Sequence, residues 1–140
     1  MTYTIKDGFD QMDFDHVTEM IASSYWAPGV SKQEMLKCSE NSALVVGAFS
    51  EDGAQVGFAR VVSDKTRFCF IMDVMVDEPF RKQGIGQAMI DYILQHNNLS
   101  DVYFWTLMTK DAHGMYQKLG FKALEHPEQW MIIHSPRPER

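Results

Sequence analysis

The 140-residue sequence has only two cysteines, Cys38 and Cys69, too few for a disulfide framework and without metal-ligand spacing, so no metal is expected. Cys69 stands in the apolar run Phe68-Cys69-Phe70-Ile71-Met72 and reads as a buried thiol serving as a small hydrophobe. No apolar run reaches the ~20 residues of a membrane span, and the opening Met1-Thr2-Tyr3-Thr4-Ile5-Lys6-Asp7 lacks a signal-peptide core. A cytoplasmic location without a membrane partner is the expectation. Basic charge is short as well. The 13 Lys+Arg against 19 Asp+Glu leave a formal net charge of −6, which argues against nucleic acid as partner. Internal repeats, low-complexity stretches and the G-x-x-x-x-G-K-[ST] spacing of a phosphate-binding P-loop are all missing. So is a GxGxxG followed by an acidic residue ~20 positions on, which a dinucleotide fold needs.

What is present is ordinary globular composition. Hydrophobic residues make up 45% and charged residues 23%, and the length suits one domain, residues 1–140, that buries its own core. The Ser135-Pro136-Arg137-Pro138-Glu139-Arg140 tail, with two prolines and no apolar side chain, is expected to fray. Thr4–Lys6 reads as a first strand. Phe14, Val17, Met20 and Ile21 then recur on one helical face, predicting a helix over Asp13–Tyr25 capped by Asp13 or Asp15. Pro28-Gly29 interrupts it, and Ser31 with Glu34 forms a capping box for a second short helix. Residues 43–49, 55–63 and 67–76, rich in Val, Phe and Ile, predict an antiparallel meander turning at Glu51-Asp52-Gly53 and Ser63-Asp64-Lys65. A helix over Gly84–Gln95, a strand over Val102–Met108, a helix over Asp111–Leu119 closed by Gly120 and a last strand over Gln129–His134 complete the order. This is a mixed α+β fold with one βαβ crossover.

That crossover carries the chemistry. The third meander strand runs through Asp77-Glu78-Pro79-Phe80 into Arg81-Lys82-Gln83-Gly84-Ile85-Gly86 at the start of a helix. Two glycines let the backbone turn tightly, the helix start offers unpaired N–H groups and a positive dipole end, and Arg81 and Lys82 add two charges. The loop is built for an anion.

Arg81-Lys82-Gln83-Gly84-Ile85-Gly86 resembles the R/Q-x-x-G-x-G/A signature of the GCN5-related N-acetyltransferase (GNAT) family, which holds the pyrophosphate of acetyl-coenzyme A. Asp73-Val74-Met75-Val76 looks like the family's fourth strand, whose backbone pairs with the pantetheine arm. Ala112-His113-Gly114-Met115-Tyr116-Gln117-Lys118-Leu119-Gly120-Phe121 looks like its A-x-x-x-Y-x-x-x-G-F segment. The resemblance implies the acyl-CoA N-acyltransferase fold, a mixed sheet flanked by helices in three layers. It also implies acetyl transfer from acetyl-CoA to a primary amine, small or on a protein, by direct attack. Tyr116 then matches the general acid that reprotonates the leaving thiolate. Val74, Val76, Arg81, Lys82, Gln83, Gly84, Ile85, Gly86 and Gln87 are the implied coenzyme contacts. Where the family often has Asn, three residues before the Ala, this sequence has Thr109, which can offer a hydroxyl to the coenzyme or cap the next helix.

The base stays open. Asp73 interrupts an apolar alternation of Cys69, Ile71 and Met75, so it is either a base raised in pKa or one half of an ion pair. With Asp64-Lys65 as a two-residue hairpin loop, Arg60 pairs with Cys69 on the face of Asp73 and is the partner to consider. His113, three residues before Tyr116 on one helical face, is a second candidate base; ordered water is a third. Tyr25 and Trp26, between the first two helices, form a candidate aromatic wall for the acceptor, with Arg60 nearby. A coenzyme-binding sensor or interaction module without turnover is the alternative reading, and the chain is expected as a monomer or homodimer. Residues 1–55 hold 3 basic and 9 acidic residues, against 10 of each in 56–140, so the acidic excess lies on the acceptor side and favours a cationic amine.

Overall fold

The Asp13 carboxylate accepts the His16 amide at 3.2 Å and opens the first helix, α1 (Phe14–Ala22), in the computed structural model, which describes residues 2–140. All four apolar residues of its predicted face, Phe14, Val17, Met20 and Ile21, are buried. The helix stops short of Tyr25 because the Ser23 and Ser24 hydroxyls turn back onto the Met20 and Ile21 carbonyls, each at 2.6 Å, competing with further helix. Ser31 accepts the Glu34 amide at 3.1 Å and starts α2 (Lys32–Glu40).

Five strands form one sheet in the order β1 (Tyr3–Asp7), β2 (Leu44–Ser50), β3 (Gln55–Ser63), β4 (Cys69–Val76) and β5 (Trp105–Leu107). The first four are antiparallel neighbours; β5 lies parallel to β4 after the crossover helix α3 (Ile85–Leu94). One face carries α3, whose Ile85, Met89, Ile90 and Ile93 are buried against Val46, Ala59, Val61 and Ile71. Burying each such side chain is worth roughly 1.5–3 kcal/mol. The short α4 (His113–Lys118) packs on the same face through Met115 and Tyr116. The other face carries α1 and α2 over Val45, Phe49 and Phe58. This is the expected three-layer α+β arrangement. Asp7 on β1 accepts from the Tyr92 hydroxyl and lies 3.0 Å from His96 Nε2, tying the edge strand to α3.

Several expectations need correction. The β3–β4 turn is longer than Asp64-Lys65: the Asp64 carboxylate collects the amides of Thr66, Arg67 and Phe68 at 2.9, 2.8 and 3.2 Å, holding residues 64–68 as a loop. Cys69 therefore pairs with Ser63, and Arg60 pairs with Met72. The strand expected over Val102–Met108 is only Trp105–Leu107, and the helix expected from Asp111 starts at His113, where Thr109 Oγ1 accepts the Ala112 amide at 3.0 Å. The last strand, Gln129–His134, does not form: Met131 and Ile133 are 94% and 96% exposed, and strand propensity is realised only against a paired neighbour and a covering layer. The segment 135–140 has no regular structure, and the Arg140 guanidinium reaches Glu34 Oε2 at 2.7 Å.

Candidate active site

The sheet opens on the β5 side of β4. Pairing of β4 with β5 ends at Ile71↔Leu107, yet β4 continues to Val76, so among the described residues Met72–Val76 have no strand beside them on that side. A β-bulge lies in the same stretch: Arg60↔Met72 is followed by Phe58↔Met75, three steps of β4 against two of β3, with Asp73 at φ +55°. The extra residue reverses the facing of the strand. Cys69 and Ile71 belong to the α3 side; beyond the bulge, Val74 and Val76 take that side and Met75 packs toward α1 and α2. Asp73 therefore does not share a face with Cys69 and Ile71, as simple alternation implies.

At the end of β4 the chain turns through left-handed Lys82 (φ +65°) and Gly84 (φ +81°) into α3. No side chain caps this helix, so the amides of Ile85, Gly86 and Gln87 have no partner within it. Space around Gly84 is open to 4 Å, and the Cβ that Gly86 lacks would lie against Val76 and Met115. Arg81 folds back, its Nε donating to the Val76 carbonyl at 2.8 Å, while Lys82 and Gln83 are exposed at the mouth. Free amides, two cations and an unpaired strand edge in one line suit a ligand with phosphates at one end and amides along its arm.

Tyr116 stands on α4 and is buried; burial pushes its phenol up to about 12, with Tyr25 and Asp111 adding to the shift. Its proton is therefore held throughout the neutral range. Thr109 spends a lone pair on capping and keeps its O–H free to donate. His113 is exposed in the first turn of α4. Lys110 Nζ sits 5.2 Å from the Tyr25 ring centroid, bridging the β5–α4 connection to the α1–α2 connection, and Tyr25 packs edge-on against Trp26.

Asp73 has both oxygens engaged. Arg60 Nε donates to one at 2.6 Å, Trp26 Nε1 to the other at 2.8 Å, and Arg60 Nη1 also contacts Ser42 Oγ at 3.4 Å. The structure thus joins three candidates from separate elements. Sequence reading missed the next pair, His16 Nε2 at 2.6 Å from Asp77 Oδ2, which fastens α1 to the end of β4. The two are 61 positions apart, and nothing local signals the contact. Burial alone would lower the His16 pKa, but the Asp77 hydrogen bond and charge, with Glu19, raise it above its ordinary value.

Comparison with known proteins agrees with this geometry. A structure from Xanthomonas campestris pv. campestris, described as belonging to the GNAT family, superposes with TM-score 0.88 at 27% identity, covering 97% of this chain and 95% of that one. An acetyltransferase from Clostridium acetobutylicum solved with acetyl-CoA shares the fold at TM-score 0.71 and 13% identity, covering 95% and 96% of the two chains. GCN5-related N-acetyltransferase 2, chloroplastic, of Arabidopsis thaliana is 25% identical over 122 residues, 84% of this chain and 46% of its own length. The chain spans about half the length, or less, of the curated relatives it matches. Residues 41–123 match the Acetyltransferase (GNAT) domain, and with the opened β4 edge and the glycine loop inside that span, the chain belongs to the GCN5-related N-acetyltransferase family.

Proposed function

We propose that the protein transfers the acetyl group of acetyl-CoA to a primary amine by direct attack. The observation that carries this is the parting of β4 from β5 after Ile71↔Leu107, in line with the uncapped start of α3. On this reading the main chain of Val74 and Val76 pairs with the pantetheine arm. The amides of Gly84–Gln87, with Arg81, Lys82 and Gln83, hold the pyrophosphate, and the Thr109 hydroxyl donates to the coenzyme. The amine nitrogen attacks the thioester carbonyl carbon, the carbon–sulfur bond breaks, and Tyr116 gives its proton to the departing sulfur. Tyr25 and Trp26 wall the acceptor amine. Asp73, buried and doubly bonded, holds Arg60 and Trp26 in place rather than acting as base. The amine's proton leaves by water, with exposed His113 the side chain next in line. Unpaired Cys38 and Cys69 suit a reducing compartment, and we place the reaction in the cytoplasm.

The test is release of free thiol from acetyl-CoA over a panel of amines. Tyr116→Phe should lower kcat by roughly 10²–10⁴-fold with little change in coenzyme affinity. Arg81→Ala with Lys82→Ala should weaken coenzyme binding instead. Because Tyr116 stays protonated until about pH 12, the rate should rise with pH as the acceptor amine loses its proton. Coenzyme binding without thiol release from any amine would favour the silent binding module.

A further inference from the structure

Resting on the reading of residues 81–87 as the coenzyme's seat, we infer that His16 is a positioning residue for coenzyme binding, acting through Asp77 on the entry to that loop. Asp77 is the first residue after β4 and stands just before the turn Glu78–Phe80 that leads to Arg81. Its amide donates to the Val56 carbonyl at 2.8 Å, which holds it to the sheet, and its carbonyl accepts the Phe80 amide at 2.9 Å, which closes the turn. Its carboxylate reaches the α1 layer, where His16 Nε2 meets Oδ2 at 2.6 Å. Beyond Phe80 the loop is held only from within its own stretch of chain. The Arg81 amide donates to the Glu78 carbonyl at 3.2 Å, and Arg81 Nε donates to the Val76 carbonyl at 2.8 Å. Lys82 and Gly84 are left-handed, and no side chain caps α3. Among the described residues, the His16–Asp77 contact is thus the one side-chain hydrogen bond that ties residues 77–84 to an element other than β4. A loop that must gather its amides around a pyrophosphate binds more tightly when its entry is already fixed, because less ordering is left to the ligand.

The contact carries a charge that pH can remove. Asp77 faces His16 from the end of β4, and Asp13 and Glu19 face it from α1, with Glu19 Oε2 3.6 Å from Nδ1. Burial lowers the His16 pKa, but these three acidic groups, Asp77 foremost, raise it overall above 6.5. Below that value the imidazolium–carboxylate pair is complete. As pH rises through the higher folded value the proton leaves, and the pair weakens to a neutral hydrogen bond. Affinity for acetyl-CoA should fall over the same window, and bound coenzyme should by linkage hold the His16 proton more firmly.

Calorimetric titration of acetyl-CoA into the full chain at about pH 6.0 and about pH 8.5, wild type beside His16→Gln, tests this. Glutamine keeps a donor but has no proton to lose, and titration of the coenzyme's own phosphates cancels between the two proteins. The wild-type Kd is expected to be about 5-fold lower than the variant's at the lower pH and to approach it at the higher. Equal Kd values throughout overturn the positioning role. So does a ratio that stays constant with pH, because a purely structural loss acts at every pH. Should the variant fail to fold, NMR titration of the wild-type His16 ring decides: its pKa must rise by about 0.7 on binding acetyl-CoA, the same 5-fold read from the other side. A wild-type protein that binds no acetyl-CoA at either pH overturns the coenzyme reading itself, whereas binding with an unchanged His16 pKa overturns only the part played by His16.

Discussion

Asp73 occupies a left-handed backbone position in a bulge and keeps a carboxylate only 7% exposed, with Arg60 as its cation and Trp26 as a second donor. Taking two charges out of water is costly, so the pair adds little net stability, but removing one partner strands the other. Arg60→Met should therefore cost about 3–5 kcal/mol in urea denaturation, whereas Asp73→Asn in the same background should recover part of the loss, since Asn carries no charge and tolerates φ > 0. A loss under about 1 kcal/mol for Arg60→Met would mean that the carboxylate is not effectively buried. Tyr116 shows the same low-polarity surroundings acting in the opposite sense: burial favours the neutral phenol, which is the form that donates.

Among elements, the join between α1 and β4 rests on His16 and Asp77. The His16 pKa is raised in the folded state, so the stabilisation it provides is fully present below its ordinary value of 6.5 and is lost as pH rises through the higher folded value. His16→Gln should destabilise by about 1 kcal/mol at pH 5.5 and by clearly less at pH 8.5, read from paired denaturation curves. Equal losses at the two pH values would show that the contact works without charge. The β3–β4 hairpin shows how local signals mislead. Asp64 was legible as a turn residue, but three amides on one carboxylate lengthened the loop and displaced Arg60 from Cys69 to Met72. Arg60 still meets Asp73, because the bulge brings that carboxylate to the α1/α2 face.

For the molecule as a whole, the acidic excess of residues 1–55 falls on α1, α2 and the strands beside them, while Arg81 and Lys82 stand just before α3. On the proposed function, a cationic acceptor would be drawn to the first region and the coenzyme phosphates to the second, with screening over about 8 Å at physiological salt. Diamines should accordingly show higher kcat/KM than neutral-tailed amines of equal length, with an advantage that shrinks several-fold between ~20 mM and ~500 mM salt. An advantage for anionic-tailed amines would refute this assignment of the acceptor side. No helix among the described residues is long and apolar enough to cross a membrane.

The amino-acid sequence by itself determined the features set by near neighbours. These are the cap at Ser31, a cap for α1 at Asp13 or Asp15, the buried face of α1, the turn at Gly84 and the position of Tyr116 one helical turn after Ala112. Each depends on residues within about four positions, where periodicity and backbone preference suffice. Only the tertiary structure decided the bulge at Asp73, the parting of β4 from β5, and the contacts of Asp73 with Arg60 and Trp26, 13 and 47 positions away. Strand register and long-range ion pairs are collective: one extra residue in a loop or ladder turns side chains to the other face, and no local pattern records it. For the same reason the strand-like run Gln129–His134 was legible while its failure to pair was not, since a strand forms only where the folded molecule presents an edge to it.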